Sequence, residues 1–292
     1  MPVRPLPARL GLAAALTFAL SACQPANDAP AAGTASDAAA PNPALGASTA
    51  GSPRSAIFLH PDGMGANTWM ATRLMHVGPD GRLAWDQLPN VAIYVGPTSD
   101  AVNQSSNAGG TTHAYGVRAT LDSYGAINGV TPTAASGKPQ SLMLEAKAAG
   151  KKIAILNSSS LTEPGTGTFL ASVANRDDEA EIASQILAAQ PDIALGGGEM
   201  FFLPKGTQGV HGEGVREDGR NLVEEAKAAG YAVVFTRDEL MALPPEATKV
   251  LGLFAAEETF NEADEAGLAA AGLPPFQPQA PRFDEMLAFI LP

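Results

Sequence analysis

The sequence predicts an α/β fold: a mostly parallel sheet covered by helices on both faces. Two observations carry that expectation. Short apolar runs bounded by glycine or proline alternate with amphipathic stretches along residues 55–292. Runs that are apolar throughout read as strands buried on both sides. Strand and helix taken in turn require crossover connections, and crossovers give parallel pairing.

The elements follow in order. Ser55 to His60 is an apolar run ahead of Pro61 and reads as the first strand. Ala66 to Val77 carries Trp69, Met70 and Leu74 at helical spacing. Val91 to Val95 reads as the next strand, and a loop then leads into a helix beginning near Ser106. Ser141 to Ala149 is a helix stopped by Gly150, with a strand over Lys152 to Leu156. The device recurs as Asn221 to Ala229, Gly230 and Tyr231 to Phe235. The hexapeptides Glu145–Gly150 and Glu225–Gly230 are identical. A duplication would explain this, but so would two helices that share a glycine stop before a strand. Asp178 to Ala189 is a further helix with Ile182 and Ile186 on one face. Asp192 to Leu195 is a strand closed by three glycines, and Lys249 to Phe254 is another. Phe283, Met286, Leu287 and Ile290 make an apolar stripe that reads as a helix cut off midway, so the domain is expected to be truncated at its C-terminus.

The chain has 292 residues and a net charge of −12. That charge makes nucleic acid an unfavourable partner. Residues 1–22 read as a signal peptide: Arg4 and Arg9 precede an apolar core from Leu10 to Leu20 that is short for a membrane span. Leu20-Ser21-Ala22-Cys23 looks like a bacterial lipoprotein cleavage box. Cys23 is the single cysteine, so no intramolecular disulfide can form; its expected role is lipidation. Gln24 after it favours the outer membrane, facing the periplasm, by resemblance to other lipoproteins. Residues 23–54 are Ala, Pro, Ser, Gly, Asn and Thr with hardly a large apolar side chain, and read as a disordered tether.

The stretch Asn103-Gln104-Ser105-Ser106-Asn107-Ala108-Gly109-Gly110 carries the chemistry. Ser105 or Ser106 can cap a helix. The following small residues leave its N-terminal N–H groups open to an anion. A hydroxyl at that tip is eased toward the alkoxide, so Ser106 reads as a nucleophile aimed at a phosphoryl group. Taken alone, the stretch reads first as an ordinary serine-rich helix cap. Beside it stand His60-Pro61-Asp62-Gly63-Met64-Gly65, Leu161-Thr162-Glu163-Pro164-Gly165-Thr166, Val173-Ala174-Asn175-Arg176, Leu195-Gly196-Gly197-Gly198 and Arg216-Glu217-Asp218-Gly219-Arg220-Asn221-Leu222.

In this order and spacing the segments resemble the alkaline phosphatase family, from about Ala56 onward. The resemblance implies a three-layer α/β/α sandwich. It also implies a phosphomonoesterase that hydrolyses phosphate monoesters through a phosphoserine at Ser106, with Zn2+ and Mg2+. Asp62 matches the family's metal-bridging aspartate. Glu163 matches a position beside the third metal that usually carries Asp or His, and a glutamate there favours magnesium. Arg176 matches the phosphate-gripping arginine, whose fork holds two oxygens at once. Ser106 is expected to be both nucleophile and metal ligand. A homodimer is compatible with the resemblance. The chain departs from the pattern at Ser105, where the family has an aspartate that orients the arginine, and at Gly165, where it has a hydroxyl. Ser105 therefore implies a looser Arg176.

None of His60, His76, His113 and His211 falls on a family zinc position, and the downstream zinc motifs are absent between Leu251 and Pro292. The acidic run Glu257, Glu258, Glu262, Asp264, Glu265 reads as a solvated face. The alternative to an enzyme is a catalytically impaired fragment, or a lipoprotein that binds phosphate without turnover.

Overall fold

The computed structural model describes residues 55–292 other than Val91, Ile93, Val95, Pro97, Glu262 and Pro292. The signal peptide, the tether and Cys23 lie outside the described residues.

The sheet has four strands: β1 (Ala154–Ser160), β2 (Ile193–Gly197), β3 (Ala232–Val234) and β4 (Val250–Leu253). Their order is β1-β2-β4-β3 and every pair is parallel. Each strand is reached through a crossover containing a helix, as parallel pairing demands.

Alternation along the strands sorts their side chains onto two faces. Ile155, Ala194, Leu251 and Leu253 meet Ile182, Ala183 and Ile186 of helix α5 (Glu179–Ala189), and Leu222, Val223 and Ala226 of α6 (Leu222–Ala228). Leu195, Val234 and Val250 face the other way, with Leu156 and Ile193 packed beside them. They meet Leu240 of α7 (Arg237–Met241) and Met286, Phe289 and Ile290 of α9 (Phe283–Ile290). Helices on both faces of one parallel sheet make the expected three layers. The C-terminal apolar stripe serves as the cover of the second face.

The helices stop and start on the predicted chemistry. Ser141 caps α3 (Leu142–Ala148) by accepting from the Leu144 N–H, and Asn221 caps α6 by accepting from that of Glu224. Both helices reach a glycine with positive φ, Gly150 and Gly230, which an L side chain would strain. The first helix is α1 (Ala66–His76), in which none of the residues is buried.

One expected strand differs, and most of another, at 91–95, lies outside the described residues. Residues 55–60 carry no regular structure, and neither do the described residues of 91–95. A strand exists only through its partner's hydrogen bonds, and residues 55–60 pair with none of the four described strands. Phe58 and Leu59 are consequently more than half exposed.

A candidate phosphate site at the tip of a helix

Helix α2 (Ser106–Tyr115) begins where expected, with the two serines dividing the work. Ser105 is the cap: its Oγ accepts from the Ala108 N–H at 3.2 Å and donates to the Leu121 carbonyl. Ser106 is the first helical residue and half-buried. Its hydroxyl bonds to no side chain among the described residues. It therefore stands at the positive end of the helix, where the first backbone N–H groups lack intrahelical partners.

The glycines behind it serve two different ends. A Cβ on Gly109 would meet nothing within 4 Å, whereas one on Gly110 would collide with the carbonyl of Pro164. Gly109 thus fits the open approach read from the sequence. Gly110 instead lets α2 lie close against α4 (Pro164–Gly167).

Arg176 comes from the loop before α5. Its Nη1 donates to Asn107 Oδ1 at 3.3 Å, and its Nη2 donates to both oxygens of Glu163, at 3.0 and 3.2 Å. Asn107 is buried and follows Ser106 directly, so the guanidinium is held beside the helix tip. Two other side chains give Arg176 the contacts that Ser105 does not. Ser105 cannot pair with Arg176, but Asn107 and Glu163 hold it from two sides. Glu163 lies just past the carboxyl end of β1, the edge where parallel sheets gather their ligands. A Cβ on Gly165 would lie 3.9 Å from His60 Nδ1, an ordinary contact, so packing does not demand glycine there. Thr166 does not supply the missing family hydroxyl: its Oγ1 donates to the carbonyls of Leu161 and Glu163 and accepts from Asn157.

Asp62 lies in an exposed turn two residues after His60. Among the described residues no ion pair or hydrogen bond joins it to Arg176, which bonds instead to Glu163 and Asn107. His60 and His113 pack edge to face, centroids 4.8 Å apart, each with a buried Nδ1 that finds no partner. Burial, aided by His60, lowers the pKa of His113. His113 is a part-buried residue of α2.

The acidic run is only partly a solvated face. Glu257 is exposed, but Glu258 is half-buried and accepts from Ser159 Oγ of β1 at 2.9 Å. Glu199, buried to 1% exposure, escaped the sequence reading. Its carboxylate accepts from the N–H groups of Val210 and His211 and pins that loop near β4.

No group of three or more His, Cys, Asp or Glu side chains among the described residues is arranged to hold a metal ion. A zinc site draws at least three protein ligands, and the described residues bring no such set together. Glu163, the expected magnesium ligand, is engaged with Arg176. The chemistry of the described residues is therefore that of an anion site: a free hydroxyl, a helix tip and a guanidinium.

Glu179, the first residue of α5, is pushed up to about 7, chiefly by burial and then by Glu257, Glu163 and Asp177, with Arg176 opposing. Between the ordinary carboxyl value of 4.5 and 7 the folded state holds a proton that the unfolded state has lost. Stability therefore falls as pH rises through that window and is level above it. Glu179→Gln is expected to flatten this slope and raise the melting temperature at pH 8, which thermal melts of both proteins between pH 4 and pH 8 would check.

The comparisons with known proteins bear on this site. The alkaline phosphatase family model matches residues 54–269, about three quarters of the chain. The chain belongs to the alkaline phosphatase family. Streptomycin-6-phosphate phosphatase of Streptomyces griseus is 33% identical over 257 residues, covering 78% of this chain and 51% of that protein. The crystal structure of Thermus thermophilus alkaline phosphatase superposes with a TM-score of 0.59 at 28% identity, over 76% of this chain and 42% of that one. A histidine-to-glutamate variant of the alkaline phosphatase from the Antarctic bacterium TAB5, with Mg bound in its M3 site, is 20% identical with a TM-score of 0.53; it covers 76% of this chain and 56% of that one, and shows the fold alone. The chain spans about half the length of the curated relatives it matches.

Proposed function

We propose that this chain is a phosphomonoesterase whose nucleophile is Ser106. The reading rests on one observation: Arg176 donates to Asn107, the residue that directly follows Ser106 at the tip of α2. Family membership supports the reaction class. In the first step Ser106 Oγ attacks phosphorus, its proton passes to solvent, and the P–O bond to the leaving alcohol breaks. The alcohol takes up a proton and departs. Water then attacks the phosphoserine, releasing inorganic phosphate and restoring the hydroxyl. The guanidinium and the helix tip carry the charge that builds on the phosphoryl oxygens.

Zinc and magnesium belong to the proposal by family membership, with Asp62, Ser106 and Glu163 as the donors this stretch offers. When bound, such ions supply charge neutralisation at the phosphoryl oxygens. Zinc would need further donors than the described residues bring together. The test is hydrolysis of p-nitrophenyl phosphate at alkaline pH, with zinc and magnesium supplied or chelated, together with acid quenching to trap phosphoserine. Phosphate release with label on Ser106 supports the reading. Phosphate binding without turnover or label would favour the non-catalytic alternative.

The proposed location is the cell envelope, with lipid on Cys23 and the domain facing the periplasm. Among the described residues no helix is long and apolar enough to cross a membrane. Cys23→Ser is expected to move the protein from the membrane pellet to the soluble fraction.

A further inference from the structure

We infer that Tyr124 is a positioning residue for the candidate site, because the short segment around it ties together the three elements that bear Ser106, Glu163 and Arg176. The inference rests on the function proposed above.

Each tie is made by a different group. Ser105, the cap of α2, donates to the Leu121 carbonyl. One turn further along α2, the fully buried Thr111 donates to the Ser123 carbonyl at 3.1 Å and accepts from the Gly125 N–H at 2.8 Å. Tyr124 then reaches in two directions. Its carbonyl accepts from the Val173 N–H at 3.0 Å, three residues before Arg176. Its hydroxyl, on a fully buried ring, donates to the carbonyl of Thr162, the residue before Glu163.

The surroundings are shaped for this arrangement. A Cβ on Gly167 would overlap the Tyr124 hydroxyl, so α4 carries glycine where the phenol passes. Gly125 has φ of +62°, and a Cβ there would strike the Ala171 carbonyl, so the segment runs hard against the loop that leads to Arg176. Burial, together with Glu163, raises the Tyr124 pKa well above its ordinary value. The hydroxyl therefore keeps its proton and remains a donor under assay conditions.

The two sides of this brace predict different kinetic losses. Tyr124 steadies Thr162 and, through Glu163, Arg176. Arg176 grips phosphate in substrate, transition state and product alike. Tyr124→Phe keeps the ring and deletes only the O–H. It is expected to raise KM and the inhibition constant for inorganic phosphate about five- to tenfold, the worth of one buried hydrogen bond, with kcat within about twofold. Thr111→Val preserves shape but cuts the tie to α2. It is expected to lower kcat about three- to tenfold with little change in KM.

The experiment measures p-nitrophenyl phosphate kinetics and phosphate inhibition for the wild-type chain and both variants, alongside their melting temperatures. A lower melting temperature with KM, phosphate inhibition and kcat all within twofold of wild type would mean that the segment only holds the fold, and would overturn the inference. Equal loss in kcat and KM for both variants would overturn it too. If Tyr124→Phe does not yield soluble protein, the kcat and KM of Thr111→Val decide between the same outcomes. Absence of turnover in the wild-type chain would instead defeat the proposed function, and the positioning role with it.

Discussion

Ser106→Ala is expected to remove phosphomonoester hydrolysis by a factor on the order of 10^4 or more, while inorganic phosphate still binds. The size follows from what the hydroxyl does in the proposed reaction. It is the atom that forms the new bond to phosphorus, and deleting a nucleophile costs far more than deleting a binding group. The selectivity follows from the local geometry. The helix cap is made by Ser105, not Ser106. The Ser106 hydroxyl holds no side chain in place, and Arg176 keeps its bonds to Asn107 and Glu163 whether or not that hydroxyl is present. Stability is therefore expected to change by no more than about 0.5 kcal/mol. The check is parallel measurement of p-nitrophenyl phosphate turnover, the melting temperature, and its rise with added phosphate. Turnover surviving the substitution would remove Ser106 from its role. Loss of phosphate binding with a normal melting temperature would mean that the hydroxyl itself is the principal anion ligand.

The sequence made the second half of the domain readable because its signals there are local. A capping side chain, a helical period and a glycine stop all lie within ten or so residues, so α3, β1, α5, β2, α6 and β4 fall within a few residues of their expected bounds. The run at 55–60 misled for a complementary reason. Apolar side chains announce burial, but strand structure is completed by another strand, and the described sheet supplies none. The site divides in the same way. Ser106, Glu163 and Arg176 were legible as residue types in a familiar order. The bond from Arg176 to Asn107 joins residues 69 apart in sequence, and no local pattern encodes it. The departure at Ser105 pointed to a gap in the support of Arg176, but not to the two side chains that fill it. Tyr124 left no signal, since its value lies in where a buried hydroxyl ends.

Arg216 shows the limit most clearly, and its replacement carries the largest expected effect on stability. In the sequence it is one charge in a polar motif, Arg216-Glu217-Asp218. In the structure its side chain is 1% exposed. The guanidinium donates to the Ala180 and Phe201 carbonyls and to Ser184 Oγ, and it pairs with Asp218. Ala180 and Ser184 lie on α5, and Phe201 on the turn after β2, so one side chain pins the helix that follows Arg176 to the edge of the sheet. Arg216→Ala leaves two carbonyls without this donor and opens a void the size of the stem. The Asp218 carboxylate, 45% exposed, can return to water, so the loss is one of buried hydrogen bonds and packing more than of a stranded charge. The expected cost is about 3–5 kcal/mol, enough to unfold a domain of ordinary stability. Arg216→Lys should recover little of it, because an ammonium cannot reach both carbonyls and Ser184 in the guanidinium's planar fork. Urea unfolding of the three proteins would check this: a midpoint for Arg216→Lys near that of wild type would show that charge alone, and not the fork, holds α5 in place.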